Sequence, residues 1–279
     1  MNILTTRKLN NGVEIPCLGF GVFQCKDGEE TVNAVRWALD AGYRHIDTAS
    51  AYHNEKGVGQ AIRESGINRE EIFVTTKLPI DAMKQGFQIQ AFETSLELLQ
   101  LDYIDLYLIH WPVTGKNIES WQLLEELCKS GRVRAIGVSN FMEKHLDALL
   151  RNAKIAPAID QIELHPHFSK QQLVAHCEKL GIACEAWSPL GGTGSKLLED
   201  PVLNMIAKKY SKSSAQVTLR WELQRGIITI PKSIHQEWIK ANANVFDFEL
   251  SATDMKSIND LDKNPQPIGR GWNPADIDF

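Results

Sequence analysis

Between positions 43 and 55 the chain reads YRHIDTASAYHNE, a strand-like run that ends on Asp47 and gives way to a turn of small residues leading to Tyr52 and His53. Further on, Lys77 closes the run IFVTTKLP, and His110 follows IDLYLI in the stretch IHWP. An ammonium beside an apolar interior needs a carboxylate, and Asp47 is the acid at hand. A phenol beside that ammonium has its ionised form favoured, which predicts a Tyr52 pKa below its ordinary value. Tyr52 is thus the candidate proton donor to a reacting oxygen, with His110 orienting that oxygen or sharing the proton. Any one of these residues alone is satisfied by a strand-end salt bridge beside an unrelated tyrosine. Four of them on three successive strand ends point to acid–base chemistry.

Such residues need strands to carry them, and the chain supplies apolar runs at 17–20, 43–47, 72–76, 104–109, 133–138, 158–162, 182–187 and 227–230. Helical patterns lie between them. Val32, Val35 and Leu39 recur at three- and four-residue spacing before Gly42, as do Phe92, Leu96 and Leu99, then Leu146, Leu149 and Leu150; a further stretch covers 213–225. Ser251, with an acid three residues on at Asp254, caps a last helix over 251–260. The alternation predicts parallel βαβ units. With no linker or composition shift, it predicts an α/β chain folded as a single (β/α)8 TIM barrel over residues 1–279 rather than a doubly wound sheet. LTTRKLNNGVEIP is predicted to form an N-terminal β-hairpin plug turned at 10–12 on the barrel floor, and 251–260 an extra C-terminal helix. The chemistry of such a barrel sits at the carboxyl ends of its strands. That rule collects Asp47, Lys77, His110, Ser139, Asn140, Gln161, Trp187, Ser188, Lys232 and Ser233 on one rim.

The bulk numbers narrow the partners. A net charge of -5 with no long basic run predicts neither nucleic-acid nor membrane binding. Five cysteines (17, 25, 128, 177, 184) without CxxC spacing read as reduced, mostly buried thiols. With no hydrophobic signal core at the start, the expectation is a cytoplasmic monomer acting on a small molecule. His165 and His167 lack a third ligand at credible spacing, so no metal site is expected. His45 reads as a core histidine, and Glu125–Glu126 as a solvated helix face.

Three stretches carry a resemblance: GYRHIDTASAYHNEKGVG, RAIGVSNF (134–141) and IPKS (230–233) resemble the signatures of the aldo-keto reductase family, in the right order along nearly the whole chain. The terminal DIDF and VFDFEL look like the small bacterial group of diketogluconate and methylglyoxal reductases. The resemblance implies a (β/α)8 barrel and reversible hydride transfer between NAD(P)H and aldehydes, ketones or α-dicarbonyls. It makes Asp47, Tyr52, Lys77 and His110 the catalytic set. Gly21, Val22 and Asp47 would border the coenzyme, and Ser139, Asn140 and Gln161 would hold its carboxamide. Trp187 stands where a tyrosine usually stacks on the nicotinamide. Ser188, Leu190 and the loop GGTGS (191–195) would wrap the pyrophosphate, although that loop matches no G-x-G-x-x-G or Walker pattern. Lys232 and Ser233 would hold the 2′-phosphate.

One departure stands out. Trp238 occupies the position of an arginine that normally grips the 2′-phosphate, with Asn242 retained beyond it, and helical spacing puts neither Lys240 nor His235 in the arginine's place. NADPH is therefore expected to be preferred by a narrower margin than usual, with measurable NADH activity; an NADH-preferring reductase is the alternative. Phe23, Pro79, Trp111 and Trp272 would wall the substrate pocket beside Tyr52 and His110, and the short segment after His110 leaves an open mouth. The rival reading is a barrel that binds coenzyme without turnover, as a sensor, regulatory or structural protein. Such a descendant has no chemical need of the four retained residues.

Overall fold

The computed structural model describes residues 1–262, so Trp272 lies outside the described residues. Strands β1 (Thr6–Lys8) and β2 (Glu14–Pro16) form the predicted hairpin, with Arg7 opposite Ile15. Leu9 and Ile15 pack with Phe73, Ile159, Ala183 and Ile228, which places the hairpin as a plug beneath the barrel interior.

The main sheet runs β3 (Phe20–Gly21), β4 (His45–Asp47), β5 (Phe73–Leu78), β6 (Ile104–Ile109), β7 (Val133–Ser139), β8 (Ile159–Glu163), β9 (Ala183–Trp187) and β10 (Ile228–Thr229), each parallel to the next. Leu18 bridges Thr229 in parallel. The Gly19 N–H donates to the Thr229 carbonyl at 2.9 Å and the Gly21 N–H to the Pro231 carbonyl at 3.1 Å, so the first and last strands meet and close the barrel. All eight strands overlap the apolar runs read from the sequence. They are legible because parallel strands, covered on both faces, read as unbroken apolar stretches.

Around the sheet lie α1 (Glu29–Asp40), α2 (Glu55–Glu64), the pair α3 (Ile80–Gln85) and α4 (Gln88–Leu99), α5 (Asn117–Lys129), α6 (Glu143–Leu150) and α7 (Gln171–Lys179). A second pair, α8 (Pro201–Tyr210) and α9 (Ser214–Gln224), precedes β10, and α10 (Gln236–Ala243) follows it. Helix α1 buries Val32, Val35, Ala38 and Leu39 and ends before Gly42, whose φ of +97° is a left-handed turn that glycine adopts without strain. The extra helix α11 (Ala252–Asn259) is capped as expected, with Ser251 Oγ accepting from the Asp254 N–H at 3.2 Å. The buried Trp221 fixes it by donating from Nε1 to Asn259 Oδ1 at 2.8 Å.

Successive strand residues face opposite sides of the sheet. Inward parity therefore gives His45 and Asp47 on β4, Phe73, Thr75 and Lys77 on β5, Gln161 on β8, and Ala183, Glu185 and Trp187 on β9. Register sets Asp47 beside Thr75, Ser139 beside Gln161, and Gln161 beside Glu185.

One surface expectation fails. Glu125 is 2% exposed, and its Oε1 accepts from the backbone N–H groups of Lys154 at 2.6 Å and Ile155 at 2.9 Å. It ties the segment after α6 to α5; only Glu126, paired with Lys129, is solvated. The cysteines are free thiols, four buried and Cys128 half-buried.

Candidate active site

The rim brings the four candidate residues together. Asp47 ends β4, Lys77 lies near the end of β5, His110 follows β6, and Tyr52 comes from a short 3-10 turn (Ser50–Tyr52) just after β4. Lys77 Nζ donates to Asp47 Oδ1 at 2.7 Å, to Asp47 Oδ2 at 2.8 Å and to the Thr48 carbonyl at 2.8 Å. The Tyr52 hydroxyl is 3.4 Å from the same nitrogen. The His110 ring stands edge-on to Tyr52 at 5.7 Å between centroids.

Electrostatics support part of the expectation and correct part. Burial opposes charge on Lys77, but Asp47 and Tyr52 outweigh it and hold its pKa above the ordinary value. Burial pushes the Asp47 carboxyl up against the pull of Lys77 and Gln161. Tyr52 was expected to have a lowered pKa; instead burial raises it, Lys77 pulling down and Asp47 pushing up. The ammonium's charge is largely spent on Asp47 and the Thr48 carbonyl, and the phenol sits at the end of a longer contact. His110 is lowered to about 3, first by burial and then by Lys77, so its imidazole is neutral.

Asn54 joins two rim loops. Its Oδ1 accepts from the Thr48 hydroxyl at 2.8 Å, while its Nδ2 donates to the carbonyls of Val22 at 2.9 Å and Cys25 at 3.1 Å. Thr48 holds Lys77, and the loop Val22–Cys25 carries Phe23, whose ring lies 4.9 Å from that of Tyr52. Pro79 caps α3 beside Lys77, and Trp111 follows His110 half-buried.

Across the mouth lies a second polar set. The Ser139 hydroxyl donates to the Gln161 carbonyl at 2.9 Å. Asn140 donates from Nδ2 to the His110 carbonyl at 3.1 Å and to Ser139 Oγ at 3.0 Å, and its Oδ1 accepts from Trp187 Nε1 at 2.9 Å. Gln161 Nε2 donates to Asp47 Oδ2 at 2.7 Å, which joins the two sets. Asn140 (φ +64°) and Ser188 (φ +49°) hold left-handed backbone without being glycine, strain of the kind that collects at functional sites. In the loop 191–195, Thr193 Oγ1 donates to Gln24 Oε1 at 3.1 Å, so the strand-nine loop reaches the strand-three loop beside half-buried Leu190. Beyond Gly21 and Val22, Lys232 is half-buried, Ser233 and Asn242 are buried, and Trp238 is 57% exposed. His235 lies beside Trp238. It is the N-cap of α10, and the ring centroids are 4.3 Å apart. Amide and hydroxyl groups, an anchored indole, a loop with several positive-φ glycines and a cation thus follow one groove, a donor set that fits a nicotinamide dinucleotide.

The profile of the aldo/keto reductase family matches residues 17–263. The chain belongs to the aldo/keto reductase family. It is 50% identical to the glyoxal reductase of Bacillus subtilis over 98% of each chain, and 44% identical to the methylglyoxal reductase DkgA of Escherichia coli over 93% of this chain and 94% of that one. A crystal structure of a Bombyx mori aldo-keto reductase in complex with NADP superposes with a TM-score of 0.89 at 40% identity, covering 96% of each chain. The protein is an NAD(P)H-dependent oxidoreductase with the family's barrel, as the three sequence stretches implied.

Sequence reasoning passed over several members of this reductase's site. Asn54 sits inside the first signature stretch, and only tertiary contacts reveal its three bonds. Glu185 was legible in principle as a lone acid at inward parity in an apolar strand. His45 proves to be a core residue, its Nε2 3.1 Å from Thr75 Oγ1. His165 is buried near Glu163, and His167 pairs with Asp200 at 2.9 Å. Among the described residues no His/Cys/Asp/Glu group is arranged to hold a metal, and no helix is long and apolar enough to cross a membrane.

Proposed function

We propose that this reductase converts small aldehydes, ketones and above all α-dicarbonyls to alcohols at the expense of NADPH, with Tyr52 as general acid. One observation carries the reading: Lys77 Nζ, gripped by both oxygens of Asp47, stands 3.4 Å from the Tyr52 hydroxyl at the barrel mouth. NADPH, when bound, supplies the hydride to the carbonyl carbon. Tyr52 gives its proton to the carbonyl oxygen as negative charge builds there, and the Lys77 ammonium stabilises the phenolate left behind. Asp47 keeps Lys77 charged and aimed. His110, neutral, offers a ring N–H to the same oxygen and so fixes its position.

Ser139, Asn140 and Gln161 take the carboxamide, Gln161 exchanging its bond to Asp47 for the coenzyme, and Trp187 offers its face to the nicotinamide. Gly21 and Val22 border the coenzyme; Ser188 and Leu190 take the pyrophosphate, Lys232 and Ser233 the 2′-phosphate, and Trp238 and Asn242 the adenine end. Phe23, Pro79 and Trp111 wall a pocket open to small or polar carbonyls, and similarity to proteins named glyoxal and methylglyoxal reductases favours the α-dicarbonyls among them. The chain works as one domain and as a cytoplasmic monomer. Turnover across a panel of aldehydes, α-dicarbonyls and keto sugars, followed by loss of the reduced nicotinamide's absorbance, tests the reading. Tight coenzyme binding without turnover on any of them would leave a non-catalytic barrel.

A further inference from the structure

Barrels of this kind fill their interior with branched apolar side chains, and the floor of this one holds Phe73, Leu106, Ile159, Ala183 and Ile228. One layer higher the filling turns polar. His45 of β4, Thr75 of β5, Gln161 of β8 and Glu185 of β9 all point inward there, each at most 1% exposed. Gly19 makes the room, since a β-carbon at that position would lie 2.5 Å from His45 Nδ1.

Glu185 is the member left over. Neither of its carboxyl oxygens finds a well-formed hydrogen bond. The ring nitrogen His45 Nε2 lies 3.8 Å from Oε1 and is already engaged by Thr75. The Gln161 amide, on the neighbouring strand, is turned to Asp47. His45 cannot neutralise the acid, because burial holds its pKa down to about 3, with Lys77 pushing the same way. A carboxylate so enclosed and so poorly partnered is strongly disfavoured, and the group keeps its proton instead.

We propose that Glu185 is a positioning residue for Tyr52: by retaining its proton it leaves the Lys77 ammonium to Asp47 and Tyr52 alone. Loss of that proton sets a second carboxylate on the same ammonium, which makes the tyrosine a weaker acid. This rests on the reading of Tyr52 as proton donor. The groups that bear on Glu185 are Asp47 and His45 from β4, Lys77 from β5, Gln161 from β8 and Tyr52 from the turn above. The inward residues Ile228 of β10 and Leu106 and Leu108 of β6 are apolar, so Lys77 is the one cation among these groups. Burial raises the Glu185 pKa well above the carboxylate range and Asp47 raises it further, against Lys77 and Gln161. The enclosed, unpartnered carboxyl therefore holds its proton beyond the ordinary carboxylate range, and the coupling should be visible where that proton is lost.

The test is the pH profile of kcat in the Glu185→Gln and Glu185→Met variants, each normalised to its own plateau, from about pH 6 to about pH 10. Both variants remove the ionisable group. In the parent, ionisation of Glu185 should begin the alkaline fall of kcat before Tyr52 loses its own proton. Both variants lack that first step, so the onset of the fall should move to higher pH, by about one unit, the coupling at which two sites titrate as a pair. A limb that superimposes on that of the parent enzyme overturns the proposal. The methionine variant needs no hydrogen-bond partner, so failure of both to yield folded protein by circular dichroism makes Glu185 a purely structural acid and also overturns it. Tyr52→Phe, run alongside, keeps the two readings apart. If it retains normal turnover, the acid assignment itself falls; if it is inactive while the Glu185 limbs do not move, only the role of Glu185 falls.

Discussion

On the β4–β6 side of the mouth, Lys77 Nζ has four oxygen contacts between 2.7 and 3.4 Å, from Asp47, Thr48 and Tyr52, and its side chain is fully buried. On the β10–α10 side, Trp238 is 57% exposed, Lys232 is half-buried, and the main feature beyond them is a ring pair, His235 on Trp238. On the proposed reading the two sides serve one reaction under different demands. Proton transfer needs donor and acceptor fixed to within tenths of an ångström, which strand ends bound to one another can supply. Discrimination of a phosphate remote from the reacting atoms needs only charge and contact area, which exposed side chains on a helix start can supply and exchange. Substitutions should accordingly break the first side and retune the second.

The largest effect is expected for Lys77→Met. It strands Asp47 as a buried carboxylate, and breaking a buried ion pair in this way costs about 3–5 kcal/mol of stability. Urea unfolding should register that loss, and turnover should fall at least as far as in the tyrosine variant. An unchanged unfolding midpoint would mean that Asp47 is protonated in the fold. Tyr52→Phe keeps the ring against Phe23 and removes only the hydroxyl, so kcat should fall by about 10²-fold or more while coenzyme affinity stays close to that of the parent. Near-normal reduction rates would remove Tyr52 from the chemistry.

His110 carries a pH signature of the same enclosed side. Its folded pKa is lowered to about 3 from an ordinary 6.5. Below pH 6.5 the unfolded chain takes up a proton that the folded protein refuses, so stability present at neutral pH is lost as the pH falls towards 3. The slope is about 1.4 kcal/mol per pH unit. Between pH 6.5 and about pH 5 the parent should therefore lose about 2 kcal/mol more than His110→Gln in urea unfolding. Equal losses would place a charged imidazole in the folded site.

The contrast between the two sides also explains what the sequence disclosed. The strands and their terminal residues were legible because burial on both faces writes a strand as an apolar run, and a polar residue closing such a run has few structural reasons to be there. The hairpin and the serine cap of α11 were legible from local rules. What escaped depends on distant partners. Glu125 and Glu126 look alike in sequence, yet α5 turns one to solvent and the other onto the Lys154 and Ile155 amides. The Tyr52 shift took its sign from burial, which no spacing rule measures.

The smallest effect belongs to the open side. On the proposed reading, Trp238 lies against adenine but brings no charge to a 2′-phosphate, which would leave that task to Lys232 and the Ser233 hydroxyl. A single lysine is a point charge without the planar fork by which arginine grips a phosphate through two bonds. NADPH should be preferred over NADH by a modest margin, read as the ratio of kcat/KM values. Trp238→Arg restores a fork on an exposed position where it displaces no core atom, so the barrel and the β4–β6 side should be untouched and kcat with NADPH held. The ratio should widen in favour of NADPH by about 1–3 kcal/mol, the range for a charge-assisted hydrogen bond, and the gain should shrink as salt is raised. Because the His235 ring packs at a tilt against the indole, the same substitution also frees that ring, and His235→Ala in the Trp238 background reports how much of the adenine contact the pair supplies together. If Trp238→Arg leaves the coenzyme ratio unmoved, residue 238 does not face the 2′-phosphate and the groove runs elsewhere past α10.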